Sequence, residues 1–234
     1  MTAESRFAVY FVPAADTALY RFGSAALGYD CYTGGDVAQF SDIAMNAAEW
    51  AALTREPRTY GFHATLKAPF RLHPGYDQAD LVAKFSAFVA SIHRPPVIVP
   101  EVEILDGFVA IVPKQPDPDL DALAGACVRA FDHFRAPMQA EERARRSHPE
   151  LSHRQTENID RWGYPYVFED FRFHMTLTGR IQSDRRDWIL SILRERFSRC
   201  HDGRPVPIDG IALLRQDSAD ARFRVICHSS GPIS

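Results

Sequence analysis

The sequence predicts an α+β fold, and three features carry that prediction. The pattern Phe-His-x-Thr-Leu occurs twice, at 62–66 and 173–177. Each copy precedes a stretch with apolar residues at three- and four-residue spacing, 77–93 and 183–200, the mark of a helix with one buried face. Each helix then precedes a pair of β-forming runs, 97–105 with 108–113 and 206–214 with 222–228. Strands that return beside one another under covering helices make mainly antiparallel sheets backed by helices, and that unit is present twice.

The first element is the apolar run from Phe7 to Val12, stopped by Pro13, and its counterpart runs from Phe108 to Val112 and stops at Pro113. Helical segments follow both, at 16–27 and 120–134. The buried stripe of 77–93 reads Leu81, Phe85, Phe88 and Ile92, and that of 183–200 reads Trp188, Ile189, Ile192, Leu193 and Phe197. Asp106-Gly107 is a hairpin signal, because a two-residue turn needs positive φ at both positions. The repeat predicts a single bilobal domain over 1–234, with pseudosymmetric lobes at about 6–105 and 107–230 and a central cleft. Two stretches interrupt it: 32–58, with a helical piece around 43–53, and 138–162, which carries Arg143, Arg145, Arg146, His153 and Arg154. Both precede a histidine motif and are candidates to fold over one pocket, although the plainer reading of the arginine run is a solvated helix face.

Composition narrows the function. A chain of 234 residues, 46% hydrophobic and 24% charged, is that of a soluble globular protein. Its net charge of -3 denies it the broad basic surface that binding to long nucleic acid relies on, so a small anion or a short RNA end is the better partner size. Cys31, Cys127, Cys200 and Cys227 form no CxxC pair, which argues against a zinc cage. No leader and no membrane-spanning run is read, so the expected location is cytoplasmic, with no membrane partner.

Strand alternation puts His63, Thr65 and Lys67 on one face, with Phe62, Ala64, Leu66 and Ala68 on the other. In the second copy Arg172, His174, Thr176 and Thr178 share a face opposite Phe171, Phe173, Met175 and Leu177. Cleaving a phosphodiester needs a base for the attacking oxygen and an acid for the leaving one, and imidazole titrates near neutral pH. Two histidines about one phosphorus supply both roles. Threonine hydroxyls donate to non-bridging oxygens, and Lys67 and Arg172 are placed to offset the phosphate charge. Neither HExxH nor His-x-His occurs, and Gly34-Gly35 lacks the Gly-Lys-Ser/Thr of a phosphate-binding loop, so no metal and no cofactor is expected.

On these residues the chain resembles the two-histidine (2H) phosphoesterase superfamily, whose signature is two His-x-Thr/Ser motifs on strands of two lobes. The longer strings 60–70 and 162–166, with 171–179, are similar to the DUF1045 group, described as phosphonate-metabolism proteins. The resemblance implies cyclic phosphodiesterase chemistry in a cleft between the lobes and a link to carbon-phosphorus lyase operons. It implies His63, Thr65, His174 and Thr176 as the catalytic positions. Lys67, Arg172, Tyr60 and Tyr164 are assigned to substrate contact from strand face and proximity. Two rival readings stay open: an RNA 2′,3′-cyclic phosphate end-processing or ligase-type enzyme, and a module that binds nucleotides or RNA ends without turnover.

Overall fold

Proline-bounded strand runs alternate with apolar-periodic helices along the chain. The computed structural model describes residues 5–41, 43 and 45–229. The chain runs β1 (Arg6–Phe11), α1 (Ala18–Leu27), α2 (Ala47–Leu53), α3 (Arg55–Arg58), β2 (Ala64–Arg71), α4 (Gln78–Ala90), β3 (Val97–Ile98), β4 (Pro100–Leu105) and β5 (Phe108–Pro113). It continues through α5 (Pro118–Phe131), α6 (Ala140–Arg146), α7 (His153–Trp162), β6 (Met175–Thr176), α8 (Arg186–Cys200), β7 (Val206–Pro207), β8 (Ile211–Gln216) and β9 (Arg224–His228). Residues 42 and 44 of the expected 32–58 interruption, and residue 230 at the outer bound of the second expected lobe, lie outside the described residues.

Seven strands form one sheet in the order β4-β5-β6-β2-β1-β8-β9, with every neighbouring pair antiparallel, and β3 pairs with β7 separately. The class is α+β, as the alternation of strand pairs and helices predicts. The strands of the two repeats are interleaved. β4 pairs with β5, and β8 lies against β1, so the sheet runs continuously through both. The two motif strands, β2 and β6, are neighbours at its middle, joined through the pair Ala64 and Met175.

Local chemistry sets the element ends. Asp77 caps α4 and exchanges hydrogen bonds with Asp80, a capping box of the kind that stabilises a helix by about 1 kcal/mol. Asp106 and Gly107 join β4 to β5 with φ of 48° and 93°, the positive pair that the turn requires. Of the interrupting 138–162 stretch, two short helices form, α6 and α7, and α7 opens with a capping box between Ser152 and Gln155.

The residues before each histidine anchor the motifs. Phe62 is fully buried and Phe173 nearly so, each burial contributing about 1.5–3 kcal/mol. Phe62 lies against Gly23 of α1 so closely that a Cβ there would sit 2.1 Å from its ring, which is why α1 carries glycine at that turn.

β2 departs from simple alternation. Tyr10 pairs with Thr65 but Val9 pairs with Lys67, so one step along β1 spans two along β2. Such a bulge moves Lys67 to the sheet face opposite Thr65. A second irregularity lies between Lys67 and Phe70, which faces Phe7. The expected shared face of His63, Thr65 and Lys67 is therefore corrected for Lys67: it is 2% exposed and turned toward the end of α5, where its ammonium meets Asp132 at 2.7 Å.

Candidate active site

The face carrying Tyr10 and Thr65 also carries Thr176, whose partner Ala110 lies two residues along β5 from Phe108. Above this face lies a cavity of about 350 Å³ lined by Tyr10, Tyr60, His63, Thr65, Phe108, Tyr164, His174 and Thr176, among others. Continuing the Ala64–Met175 register by one residue each way sets His63 across from Thr176 and Thr65 across from His174. The two motifs therefore present their histidines and threonines to a single space.

Backbone carbonyls orient both rings in the same way. His63 Nδ1 donates to the Gly61 carbonyl at 2.9 Å, and His174 Nδ1 donates to the Arg172 carbonyl at 2.7 Å. A carbonyl only accepts, so Nδ1 carries the proton in each neutral ring and Nε2 is left as the acceptor. The Thr65 hydroxyl donates to His63 Nε2 at 3.2 Å. Gly61 holds φ at 77°, and a Cβ there would stand 2.7 Å from that of Cys31, so the turn that aims His63 requires glycine.

The surroundings of the two rings differ. His63 is stacked on Tyr10 with centroids 3.9 Å apart. Burial pushes its pKa down to about 4, with the Gly61 carbonyl opposing the shift and the charge of His174 adding to it. His174 also lies below its ordinary value through burial, but the Arg172 carbonyl and the Asp106 carboxylate pull it back up. Burial raises the Tyr164 phenol to about 12.

The sequence-predicted residues divide three ways. His63, Thr65, His174, Thr176, Tyr60 and Tyr164 all line the cavity. Lys67 lies behind the sheet. Arg172 is exposed at the rim, 3.9 Å from Asp106, and serves the site through its carbonyl. Its side chain is exposed and is not among the residues lining the cavity.

The sequence reading missed Tyr10, Glu56, Phe108 and Arg180 as lining residues. Tyr10 was legible in one respect, as the only residue with a polar tip in the apolar run 7–12. Glu56 and Arg180 carried no periodic signal. Arg146, from the arginine-rich interruption, donates to the carbonyl of Pro69, a lining residue, at 2.8 Å and to that of Gly163. Among the described residues no group of three or more His, Cys, Asp or Glu is gathered to hold a metal ion, and no helix is long and apolar enough to cross a membrane.

Comparison with known proteins adds a family. Residues 65–224 match the family described as "Protein of unknown function (DUF1045)". Two curated relatives bear the name ribose 1,5-bisphosphate phosphokinase PhnN. The one from Janthinobacterium sp. (strain Marseille) is 35% identical over 224 residues, covering 94% of this chain and 49% of its own length. The one from Laribacter hongkongensis (strain HLHK9) is 34% identical over 230 residues, covering 94% and 50%. This chain thus spans about half the length of both. A solved structure of a conserved protein of unknown function from Agrobacterium tumefaciens str. C58 matches with a TM-score of 0.43 at 8% identity, over 97% of this chain and 86% of that one, a likeness too slight to argue from.

Proposed function

This chain belongs to the DUF1045 family, and from that premise and the cleft we propose that it is a metal-independent phosphodiesterase of the 2H kind, opening a small cyclic phosphate in phosphonate metabolism. The observation that carries this reading is the pair of imidazoles from duplicated motifs, each tethered at Nδ1 and each lining one cavity. In this mechanism His63, the less basic ring, accepts the proton of the attacking water through Nε2 as the new P–O bond forms. His174 donates its Nε2 proton to the alkoxide as the ring P–O bond breaks, and the two protons then re-equilibrate with solvent. The anionic ester itself raises the proton affinity of both rings when it binds. Thr65 and Thr176 donate to the non-bridging oxygens, and Arg180 offsets the charge that builds on them.

The kinase name of the relatives is not carried over, since the chain matches only half of each and has no Gly-Lys-Ser/Thr loop. Their named substrate nevertheless suggests a sugar phosphate, because hydrolysing a 1,2-cyclic phosphate of ribose 5-phosphate yields ribose 1,5-bisphosphate. The test is a panel of ribose 1,2-cyclic phosphates and nucleoside 2′,3′-cyclic phosphates followed by phosphorus NMR, with and without EDTA. Turnover of at least one ester in EDTA is expected. Failure on the whole panel, or activity lost to EDTA and restored by zinc or manganese, overturns the reading.

A further inference from the structure

We propose that Phe223, which lies outside the cleft, is a positioning residue for His63: it holds the rings of Tyr10 and Tyr60 against the imidazole, fixing its angle and keeping water off it. The proposal rests on the phosphodiesterase reading for the role of His63 and names a residue on which that role depends.

Phe223 is fully buried and is not among the residues that line the cavity. It stands immediately before β9. Its ring is stacked on that of Tyr60, with centroids 5.5 Å apart and planes at 16°, and is tilted against that of Tyr10 at 6.1 Å. Both of those rings pack on the imidazole, Tyr10 in a stack at 3.9 Å and Tyr60 tilted at 6.0 Å. Phe223 thus backs both aromatic neighbours of His63 at once.

The backbone ties the same residue to the turn that aims the imidazole. The Phe223 amide donates to the Thr59 carbonyl at 2.8 Å, next to Tyr60, and the Tyr29 hydroxyl donates to the Phe223 carbonyl at 2.8 Å. Two residues on, the Val225 amide donates to the carbonyl of Cys31, the residue against which Gly61 packs. Gly61 in turn supplies the carbonyl that holds His63 Nδ1. Position 223 is therefore fixed at its amide, its carbonyl and its ring, and it braces the segment that orients the histidine. Packing and hydrogen bonds of this kind in the supporting residues are what hold a reacting group to a productive geometry.

The charged groups around Phe223 have partners of their own. Arg6 lies over its ring at 5.6 Å and donates to Gln216, and Arg222 pairs with Asp36 and lies over the Tyr29 ring. The titratable and polar groups that face His63 are the phenols of Tyr10 and Tyr60, the Thr65 hydroxyl and the second imidazole, His174. Burial is the largest influence on the His63 pKa, so the rings that exclude water from it also govern its proton affinity. The ring contact of His174 is Phe108, tilted at 5.7 Å, and among the described residues no ring contact links His174 to Phe223. The second histidine is therefore an internal control.

The test is an NMR titration of the histidine side chains in the full chain, for the wild type, Phe223→Leu and Tyr60→Leu, with circular dichroism to verify folding. In the wild type His63 should titrate near the value of about 4 to which burial pushes it. Phe223→Leu keeps an apolar side chain but removes the ring, and His63 is expected to rise by roughly one pH unit as water reaches it, while His174 stays in place. With a cyclic ester that the wild type turns over, the acid limb of kcat/KM should move by the same amount. At neutral pH kcat should fall roughly tenfold with KM little changed, as the ring loses its angle. A wild-type His63 at its ordinary value overturns the proposal. So does a folded Phe223→Leu protein in which His63 titrates as in the wild type, or in which both histidines move together. If that variant does not fold, Tyr60→Leu decides, because the half-buried Tyr60 ring is one of the two through which Phe223 acts. An unmoved His63 in that protein overturns the proposal, and a raised one supports it. The titration needs no substrate, so its failure is separate from failure of the phosphodiesterase reading, which the ester panel decides.

Discussion

One pentapeptide sits in two settings. At 62–66 it leads into an eight-residue strand, with its imidazole stacked on Tyr10. At 173–177 it leads into a two-residue strand, with Arg172 and Asp106 acting on the ring. Both copies tether Nδ1 to the carbonyl two residues back, so the local sequence sets the ring's orientation. Proton affinity is set by what packs around it. Burial drives the pKa of the more enclosed ring to about 4; at the other, burial also lowers it, with the Arg172 carbonyl and Asp106 opposing the shift and the Arg172 charge adding to it. A duplicated motif thereby places one residue type in two electrostatic settings, the difference on which the proposed division into base and acid rests.

The largest effect should come from removing either ring. His63→Ala and His174→Ala are each expected to lower kcat by roughly 100- to 10,000-fold, with the double variant little worse than either single one. The comparison is sharpened by an ester with a good leaving group, such as a p-nitrophenyl phosphodiester, measured in steady state. It should restore His174→Ala more than His63→Ala, since such a leaving group needs no acid. Equal restoration would end the assignment of roles.

Lys67→Met separates placement behind the sheet from a place in the cleft. Removing the ammonium leaves Asp132 with Arg135 as its remaining ion partner, and the expected loss is about 2–3 kcal/mol in urea unfolding. KM should stay near that of wild type in the folded protein. A rise of tenfold would return Lys67 to the substrate.

Thr65→Ala should cost about tenfold in kcat, and Thr176→Ala less, because the Thr65 hydroxyl is also in hydrogen-bond contact with its histidine when no substrate is bound. The smallest effect is on pH dependence. With His63 as the proposed base and His174 as the proposed acid, kcat/KM should rise as pH increases through about 4 and fall as pH increases further through the lowered pKa of His174. The kcat profile should lie at higher pH, as bound phosphate raises His174. Profiles of kcat and kcat/KM that coincide would contradict that shift.

The duplication made much of this molecule legible. The run 108–113 became β5 at the same bounds, and Asp106-Gly107 became the turn before it. The four motif residues line one cavity because β2 and β6 are paired neighbours in the antiparallel sheet. Lys67 was misread because alternation assumes a regular ladder, and the bulge opposite Val9 depends on pairing with a strand some sixty residues away in sequence. Arg172 was placed in the cleft by alternation, whereas its exposed side chain lies near Asp106 of the β4–β5 turn, a neighbour that spacing in the sequence does not record. Tyr10, Glu56 and Arg180 enter the cavity through tertiary packing, and no spacing in the sequence records it.

The strand order also dictates a timetable for synthesis. β1 lies between β2 and β8, and Arg6 is paired with Gln216, so one edge of β1 has no partner until a residue 210 positions further along has been synthesised. At about 5–20 residues per second, that interval is roughly 10–40 s. Throughout it Phe7, Val9 and Phe11 belong to a nascent strand with one open edge, which makes this strand the segment most in need of protection by a chaperone before the sheet is closed.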